Sequence, residues 1–407
     1  MTTTYDPFHP KYFDQADLRE EMTRVYDLCH GCRLCFKFCG AFPTLFEAID
    51  RHDDQDAAKL TAAEQDQVVD ECFNCKLCYV NCPYIPGQHE WALDFPRLML
   101  RAEQVLHRDR KRSVKAKATD QALGRTDLAG KVNTTLAPVV NKVVTKPGSV
   151  GRRVLEKVAG IASERVLPPY TRQRFTTWWR KRTPLRFGPD AKQGTAIVFP
   201  TCLVEYQAAE VGRDLVKVLA DAIRSSEAVG NDPAVVVPQP TCSYILKQDY
   251  PDYLGGEDGD VAADAELVAS HTYDAAEYLM KVHKAEDTAL SVEFPGEVPE
   301  AVTYHAPCHL RAQNIGLRSR DLIKLTGAKV AVVAECSGID GTWGYRQENY
   351  ETARKVAKKM ASAIERAGNE VVAGDCHLAN GGIVQETGQQ PVHPVSLVAR
   401  AYGLADD

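Results

Sequence analysis

The feature that most constrains this chain is a pair of four-cysteine runs within its first 82 residues. Both runs have the spacing C-x2-C-x2-C-x3-C, and the second ends at a Cys-Pro pair. Three thiolates separated by two residues can surround one face of a [4Fe–4S] cubane, and the fourth cysteine of such a run typically ligates the other cluster. The spacing therefore predicts two [4Fe–4S] clusters with crossed ligation.

Crossed ligation assigns each cluster three cysteines from one run and one from the other. The first cluster is predicted to bind Cys29, Cys32, Cys35 and Cys82, and the second Cys72, Cys75, Cys78 and Cys39. Zinc is the main alternative, but structural zinc sites usually use separated C-x2-C pairs. The first run departs from the pattern at Gly40, where the second has Pro83. That difference affects the turn after the run and leaves the ligands intact.

Five further cysteines are scattered over the second half of the chain, at Cys202, Cys242, Cys308, Cys336 and Cys376. The total of 13 is odd, and the N-terminus lacks the basic and apolar regions of a secretory signal, so we expect reduced thiols instead of disulfides. Each of the five follows a β-rich pattern, and loops at strand ends are where α/β folds bind ligands. They are predicted to form a metal or redox site, with small buried core residues as the alternative.

The sequence patterns predict an α+β multidomain protein with three regions. Residues 1–106 carry the cysteine runs between short amphipathic patterns and are predicted to form a two-cluster helical ferredoxin-type domain. Residues 107–192 are predicted to be a basic helical linker. Residues 193–407 alternate β-rich runs with helical patterns, including one helix from about Ala262 to His283, which is typical of an α/β domain with a largely parallel sheet. Cysteines recur after strands twice there, which indicates two degenerate repeats that face each other across one seam.

Charge is distributed unevenly along the chain. Residues 107–187 carry 20 Lys and Arg against 5 Asp and Glu, although the whole chain has a net charge of −6. A basic segment between acidic ends favours an anionic partner surface, a lipid headgroup layer or self-association. Trp178 and Trp179 lie in this segment among arginines, a combination that suits a membrane interface. The alternative is that the tryptophans pack in a domain interface and the charges are solvated.

Several phrases of the sequence resemble one protein family over nearly the whole length of the chain. They are the double cysteine run, LDFPRLMLR, LPPYTRQRFTTWWRK, PTCLVEY, PTCSYILKQDYPDYL, YHAPCHL, ECSGIDGTWGYRQENY, GDCHLA and HPVSLVARAYG. The family is that of the iron–sulfur subunit of anaerobic glycerol-3-phosphate dehydrogenase, grouped with heterodisulfide reductase subunits and glycolate oxidase iron–sulfur subunits. The resemblance implies a cysteine-rich CCG domain in the C-terminal region, which in some relatives binds unusual iron–sulfur clusters.

The CCG motifs implied by this resemblance are incomplete. Ser337 stands where the second cysteine of Cys-Cys-Gly is expected, and Ala379 where the second cysteine of Cys-x-x-Cys is expected. The first repeat keeps only Cys202 and Cys242. Five cysteines suffice for one further cluster, with one thiol spare. Three flanking histidines are either additional ligands or structural residues: His305, His309 and His377.

The cysteine runs and the resemblance together predict an electron-transfer subunit of an oxidoreductase complex. Electrons would pass through the clusters between a flavoprotein dehydrogenase subunit, of the glycerol-3-phosphate or 2-hydroxy-acid type, and a quinone or other acceptor. The alternatives are a heterodisulfide-reductase-like catalytic subunit acting on a disulfide or thiol substrate, and a cluster-bearing docking scaffold.

The expected location follows from the absence of long apolar stretches. No run reaches the roughly 18 apolar residues typical of a spanning helix. We therefore expect a cytoplasmic protein, either free or peripheral on the inner face of the cell membrane. Trp178 and Trp179 with the basic segment are the expected contact with a membrane surface or quinone, and no nucleic-acid partner is expected.

Overall fold

Residue contacts divide the chain into two units. The structure is a computed structural model that describes residues 5–110, 114–182, 196–225, 233–254, 259–284 and 290–404. The first unit contains Met1–Arg112, Asp249–Ala265 and Ala312–Asn314, and the second contains the remaining segments. The division into three regions stays a prediction, and the last part of the basic segment, residues 183–192, lies outside the described residues.

The first unit is helical, and several of its helices begin at side chains that cap them. Its helices before residue 111 are α1 (Gln15–Cys32), α2 (Ala41–Asp50), α3 (Ala62–Asp70), α4 (Leu77–Val80) and α5 (Phe95–Asp109). The carboxylate of Asp14 accepts from the N–H of Asp17 at the start of α1, and Thr61 and Glu64 form a capping box on α3. Pro96 lies in the first turn of α5, where its missing N–H leaves no hydrogen bond unmade.

These helices pack around a hydrophobic core that includes part of the cysteine runs. Leu18 of α1, Leu45 of α2 and Leu98 of α5 are fully buried in it. Burying a leucine side chain contributes about 1.5–3 kcal/mol to stability. Cys72 and Cys78 belong to the same core. The packing of the first unit therefore holds these thiols away from water.

Residues 114–182 form five helices that belong to the second unit. They are α6 (Val114–Gly124), α7 (Thr126–Thr135), α8 (Ala137–Val144), α9 (Val150–Ala159) and α10 (Phe175–Lys181). After α9, Ile161 and Arg346 form an isolated antiparallel bridge, and the N–H of Ala162 donates to the carbonyl of Tyr345 at 2.9 Å. The buried guanidinium of Arg152 donates to the carbonyl of Ala162 at 2.7 Å. These bonds join the helical segment to the rest of its unit.

Two three-stranded parallel sheets lie in the second unit. The first sheet has the order β1 (Ala196–Val198), β2 (Ala234–Val237), β3 (Thr272–Asp274), and the strands of the second are β4 (Ala301–His305), β5 (Lys329–Val333) and β6 (Val371–Gly374), in the order β5-β4-β6. Val235 pairs with Thr272 in the first sheet, and Thr303 pairs with Ala331 in the second. The parallel pairing agrees with the sequence prediction. The strand orders of the two sheets differ, so one sheet is not a simple copy of the other.

Short helices alternate with these strands. They are α11 (Cys202–Tyr206), α12 (Ala209–Ser225), α13 (Pro240–Tyr244), α14 (Tyr250–Leu254), α15 (Gly259–Ser270), α16 (Ala275–His283), α17 (Cys308–Ala312), α18 (Arg318–Leu325), α19 (Tyr350–Ala367), α20 (His377–Thr387) and α21 (Pro394–Ala401). The prediction of one continuous helix from Ala262 to His283 is wrong. Strand β3 interrupts it, because Asp274 and Glu277 form a capping box that starts α16 and the residues before it pair with β2.

Candidate metal centres

One group of four cysteines lines a cavity at the end of α1. The four are Cys29, Cys32, Cys35 and Cys82. Leu34, Phe42 and Phe46 supply apolar walls. Cys29 lies in the last turn of α1, and Arg33 follows that helix in the left-handed conformation, with φ 55°. The left-handed residue turns the chain out of the helix, so the following cysteine faces the same cavity.

A second group of four cysteines lines another cavity in the same unit. The four are Cys39, Cys72, Cys75 and Cys78. Asn74 and Lys76 both have positive φ, 46° and 62°, which non-glycine residues rarely adopt. The side-chain amide of Asn74 donates to the carboxylate of Glu103 at 2.9 Å, which holds this loop against α5. Alternating left-handed residues coil the loop, so that its cysteines face one space.

These are the same two groups that the sequence predicts as cluster ligands. Cys82 joins the cysteines of the first run, and Cys39 joins those of the second. The crossed arrangement of the thiols is therefore present in the fold. That the eight thiols hold clusters stays a prediction.

The thiols are held in surroundings that disfavour a bare thiolate. Burial raises the pKa of Cys35 to about 12, and the nearby Cys82 and Cys32 contribute to that rise. Burial also raises the pKa of Cys72 well above its ordinary value, with Cys39 as the next cause. Thiolates in these cavities need a compensating positive charge. Iron supplies that charge, so the donor set and its burial fit an iron–sulfur cluster.

The two cavities are neighbours within the first unit. Phe42 lines both cavities. Cys35 of the first cavity lies close enough to Cys75 of the second for the charge of Cys75 to contribute to the raised pKa of Cys35. The N–H of Tyr84 points to the Sγ of Cys82 at 3.4 Å. Hydrogen bonds to ligand sulfurs are among the factors that set a cluster's reduction potential. The arrangement suits two redox centres that exchange electrons.

The spacing of the thiols differs from that of a single-ion site. Among the residues that the structure describes, no group of three or more His, Cys, Asp or Glu is close enough to hold one metal ion. A structural zinc site gathers four ligands around a single ion. The thiolates of a cubane bind different irons and are therefore spaced more widely.

Three of the five C-terminal cysteines lie near one another in the second unit. Burial raises the pKa of Cys242 to about 12, with further contributions from the neighbouring Cys202 and Cys376. Cys202 begins α11, is exposed, and accepts a hydrogen bond from the hydroxyl of Thr126 at 3.3 Å. Cys376 is buried and immediately precedes α20. Loops that follow β1, β2 and β6 therefore bring three thiols to one place.

The other two cysteines follow β4 and β5. Cys308 begins α17, and Cys336 accepts a hydrogen bond from the N–H of Gly338 at 3.4 Å. Gly338 has φ 68°, and a side chain there would collide with the carbonyl of Ala353. Glycine is therefore required for the backbone to turn beneath Cys336. That all five cysteines share one metal site stays a prediction.

The flanking histidines are mostly engaged in structural contacts. The Nε2 of His305 lies 2.9 Å from the carbonyl of Glu335, and burial lowers the pKa of His305 to about 4. The Nδ1 of His309 lies 3.0 Å from the hydroxyl of Thr241. Burial also lowers the pKa of His377 to about 4, and its Nε2 has no hydrogen-bond partner among the described residues. The Nδ1 of His305 also has no hydrogen-bond partner among the described residues, so His305 and His377 each keep a neutral ring nitrogen that can donate to a metal.

The two tryptophans of the basic segment have different surroundings. Trp178 packs against a buried cluster that contains Phe175 and Val204. Trp179 is 40% exposed, and the guanidinium of Arg182 lies 3.4 Å from the centre of its ring. One tryptophan therefore packs inside the second unit, whereas the other remains at its surface. No helix of the described chain has the length and apolar character needed to cross a bilayer.

The sequence patterns did not indicate two cavities in the second unit. One, of about 510 Å³, has a mixed polar and apolar lining that includes Arg213, Gln239, His377 and His393. The other, of about 380 Å³, is mainly apolar and borders Cys202. Their lining residues come from distant segments of the chain, so no local motif marks them. The C-terminal cysteines lie beside both cavities. Cys202 lines the apolar cavity, and Asp375 and His377, on either side of Cys376, line the larger cavity.

Residues 302–378 match the family described as CCG, cysteine-rich domain. The second unit therefore contains a CCG-type cysteine-rich domain. The matched stretch contains β4, β5 and β6 together with Cys308, Cys336 and Cys376. The prediction of a CCG domain in the C-terminal region is confirmed.

Curated relatives extend the similarity of the CCG-domain protein beyond this domain. It is 26% identical over 318 residues to a subunit of anaerobic glycerol-3-phosphate dehydrogenase from Escherichia coli (strain K12), an alignment that covers 69% of this chain and 76% of that protein. Lactate utilization protein A of Bacillus licheniformis is 25% identical over 148 residues, 35% of this chain and 58% of that protein. The protein of the same name from Lysinibacillus sphaericus is 26% identical over 163 residues, 38% of this chain and 67% of that protein. No solved structure matches the chain.

Proposed function

We propose that this CCG-domain protein is an iron–sulfur electron-transfer subunit of an oxidoreductase complex. It relays electrons between a flavin-dependent dehydrogenase partner and a quinone or other acceptor. The observation that carries the proposal is the pair of adjacent, buried cavities, each lined by four cysteine thiols drawn from both runs. When bound, [4Fe–4S] clusters in these cavities supply one-electron redox centres.

The protein's own residues determine how such centres behave. Cys29, Cys32, Cys35 and Cys82 would hold one cluster, and Cys39, Cys72, Cys75 and Cys78 the other. Phe42 and its apolar neighbours supply apolar walls to both cavities. The N–H of Tyr84 hydrogen-bonds one ligand sulfur. Burial and hydrogen bonds of this kind tune cluster potentials. The C-terminal cysteines are proposed to hold one further cluster.

The relatives support a role within a complex. One of them is named as a subunit of a glycerol-3-phosphate dehydrogenase, and others are named for lactate utilization. The first name states a dehydrogenase of glycerol 3-phosphate, and the second states the use of lactate, which is a 2-hydroxy acid. We therefore propose a flavoprotein partner that oxidises glycerol 3-phosphate or a 2-hydroxy acid. The substrate would bind to that partner, while this chain carries the electrons away.

A membrane surface is the proposed site of action, and α7, α8 and α9 supply the contact. They expose large apolar side chains about one helical turn apart: Leu128, Val132, Val139, Val143, Val150, Val154 and Val158. Exposed or half-buried basic residues lie among them: Lys131, Lys142, Lys146, Arg153 and Lys157. Amphipathic helices of this composition lie in the interface of anionic lipid layers. We call this the amphipathic face, and Trp179 is a further exposed aromatic residue in the same unit.

Metal content and spectroscopy test the proposed function. The full chain is purified without oxygen, its iron and acid-labile sulfide are measured, and EPR spectra are recorded during reductive titration. About eight irons per chain correspond to two cubanes, and about twelve indicate a third cluster. Zinc in place of iron would contradict the proposal. Reduction of a disulfide by the purified protein without any flavoprotein would favour the catalytic alternative.

Four single variants test the crossed ligation. If the thiols ligate as they are grouped in the fold, Cys82→Ser changes the same EPR signal as Cys32→Ser, and Cys39→Ser changes the same signal as Cys75→Ser. Ligation within each run would give the opposite pairing. Cys202→Ser is the control, because this exposed thiol lies in the other unit and should leave both signals unchanged.

A further inference from the structure

The apolar cavity of the second unit has the size and lining of a small-molecule site. Its volume of about 380 Å³ lies within the range of about 300–1,000 Å³ typical of ligand pockets. Ala129, Gly130 and Val144 of α7 and α8 form one wall, and Cys202 and Leu203 of α11 form another. The wall formed by α7 packs closely against the ring of Tyr206. A side chain at Gly130 would collide with the ring of Tyr206, so this glycine lets the ring lie against α7.

A few polar groups stand out in this apolar lining. Gln207 lines this cavity and also the larger one, and its Oε1 is buried without a hydrogen-bond partner among the described residues. The ring of Tyr345 also lines the cavity, and burial raises the pKa of its hydroxyl to about 12. That hydroxyl is therefore protonated at neutral pH and can donate a hydrogen bond. An unsatisfied buried amide oxygen is costly, so a ligand that pairs with it gains affinity.

We infer that this cavity binds a quinone, the electron acceptor of the proposed function on which the inference rests. A quinone is a flat apolar ring with carbonyl oxygens, and its reduced form carries hydroxyl groups in the same positions. The unpaired Oε1 of Gln207 can accept from the hydroxyl of the reduced form, and its amide nitrogen can donate to the carbonyl of the oxidised form once the amide group turns over. The Tyr345 hydroxyl donates to the carbonyl. The remaining lining is apolar, as the ring and an attached tail require.

The cavity shares its helices with the amphipathic face. Helices α7 and α8 contribute Ala129, Gly130 and Val144 to the cavity, and they also carry the exposed Val132 and Val139. A quinone is dissolved in the lipid layer, so a site walled by lipid-facing helices is placed where such a ligand is concentrated. Reduction would consume two electrons, delivered singly by the iron–sulfur relay, and two protons from water, and it would release the quinol.

The cavity also borders the C-terminal thiols. Cys202 lines it directly, and the charge of Cys376 contributes to the raised pKa of Tyr345. Both cysteines are neighbours of Cys242. The bound ring would therefore lie beside the site proposed to hold the further cluster, as an electron acceptor must.

Binding of a naphthoquinone with a short alkyl tail tests the inference. It is titrated calorimetrically into the full-length, anaerobically purified protein. We expect saturable binding, weakened about tenfold by Gln207→Leu and by Tyr345→Phe, since each removes one hydrogen bond of about 1.4 kcal/mol. Ala129→Phe fills the cavity and should abolish binding. Both weakening variants nearly keep the volume of the side chain, so the fold should be retained.

A matched control separates the cavity from the lipid-facing surface. Val139→Ser changes an exposed residue of the same helix wall and should leave the dissociation constant unchanged. Unaltered affinity in Ala129→Phe and Gln207→Leu would overturn the inference. Such a result with full iron content would leave the electron-transfer function standing, whereas a chain without iron would remove the proposed function itself.

Discussion

At the scale of single residues, His393 shows how burial of an ionisable group makes stability depend on pH. It caps α21, with its Nδ1 accepting from the N–H of Val395 at 3.2 Å and its Nε2 lying 3.2 Å from the carbonyl of Pro238. Both bonds require a neutral ring with the proton on Nε2. Burial lowers the pKa of His393 to about 4, and the nearby His377 contributes in the same direction.

The first prediction concerns acid destabilisation by this histidine. In the unfolded chain a histidine has a pKa of about 6.5. Between about pH 6.5 and 4 the histidine is therefore protonated in the unfolded state and neutral in the folded state. Folding stability therefore rises with pH over this window and is lost as the pH falls. Between about pH 7 and pH 5, His393 lowers the free energy of unfolding by about 2 kcal/mol.

His393→Asn removes the titration and keeps a helix cap, because asparagine is a preferred N-cap residue. Urea unfolding monitored by tryptophan fluorescence measures the free energy of unfolding. We expect its decrease between about pH 7 and pH 5 to be smaller by about 2 kcal/mol in the variant than in the unaltered protein. At neutral pH the two proteins should differ by less than about 1 kcal/mol. An unchanged dependence on pH would show that the ring titrates normally.

At the scale of elements, α9 is a short helix with one side packed against its own unit and the other side exposed. Its inward side is fixed by Arg152, whose buried guanidinium donates to carbonyls of the following turn. Its outward side carries Val150, Val154 and Val158, which are 75%, 54% and 69% exposed. A helix of ten residues is marginal by itself in water, so tertiary contacts such as those of Arg152 must stabilise it.

The second prediction follows from those three valines. A triple Val→Asn variant should bind vesicles of anionic lipid at least tenfold more weakly, because each buried valine contributes about 1.5 kcal/mol or more when it leaves water. Co-sedimentation with vesicles measures the binding. The fold should be unaffected, since the valines are exposed in the isolated protein.

Two controls make the vesicle experiment specific. Val292→Asn changes an equally exposed valine outside the amphipathic face and should leave binding intact. Raising the salt concentration should weaken binding of the unaltered protein, because Arg153 and Lys157 act through screened electrostatic attraction. Equal binding by the triple variant would remove the amphipathic face as the membrane contact.

The cysteine groups, strand β3 and the cavity residues differ in how far sequence patterns predict them. The two groups of N-terminal cysteines that the spacing predicts are also the groups that line the two cavities, because ligand spacing is a local property that the motif states directly. Strand β3 was missed, because only four residues separate α15 from α16 and pairing with β2 decides their conformation. Gln207 and Tyr345 were missed for the same kind of reason. Their common cavity exists only after distant segments pack together. Tyr345 belongs to the phrase ECSGIDGTWGYRQENY, but nothing in that phrase marks its side chain as part of a binding site.

At the scale of the whole molecule, the two units differ in how far their cores depend on the cysteine runs. In the first unit Cys72 and Cys78 belong to the hydrophobic core, and Cys29 and Cys35 pack against it. Loss of clusters from that core would leave thiols facing empty space and helices without their cross-links. The second unit has separate cores around its sheets, built from residues such as Val236 and Val302.

The last prediction is that iron removal loosens the two units unequally. Hydrogen exchange is followed in the full chain before and after anaerobic chelation, since metal binding free energy is also folding free energy. Amides of α1, α2 and α5 should lose protection by at least tenfold, whereas those of β2 and β4 should change less, because the second unit has hydrophobic cores of its own around its sheets. Loss of protection in β4 and β6 as well would reveal a cluster in the second unit. Equal protection everywhere before and after chelation would contradict this prediction and would mean that the first unit keeps its fold without metal.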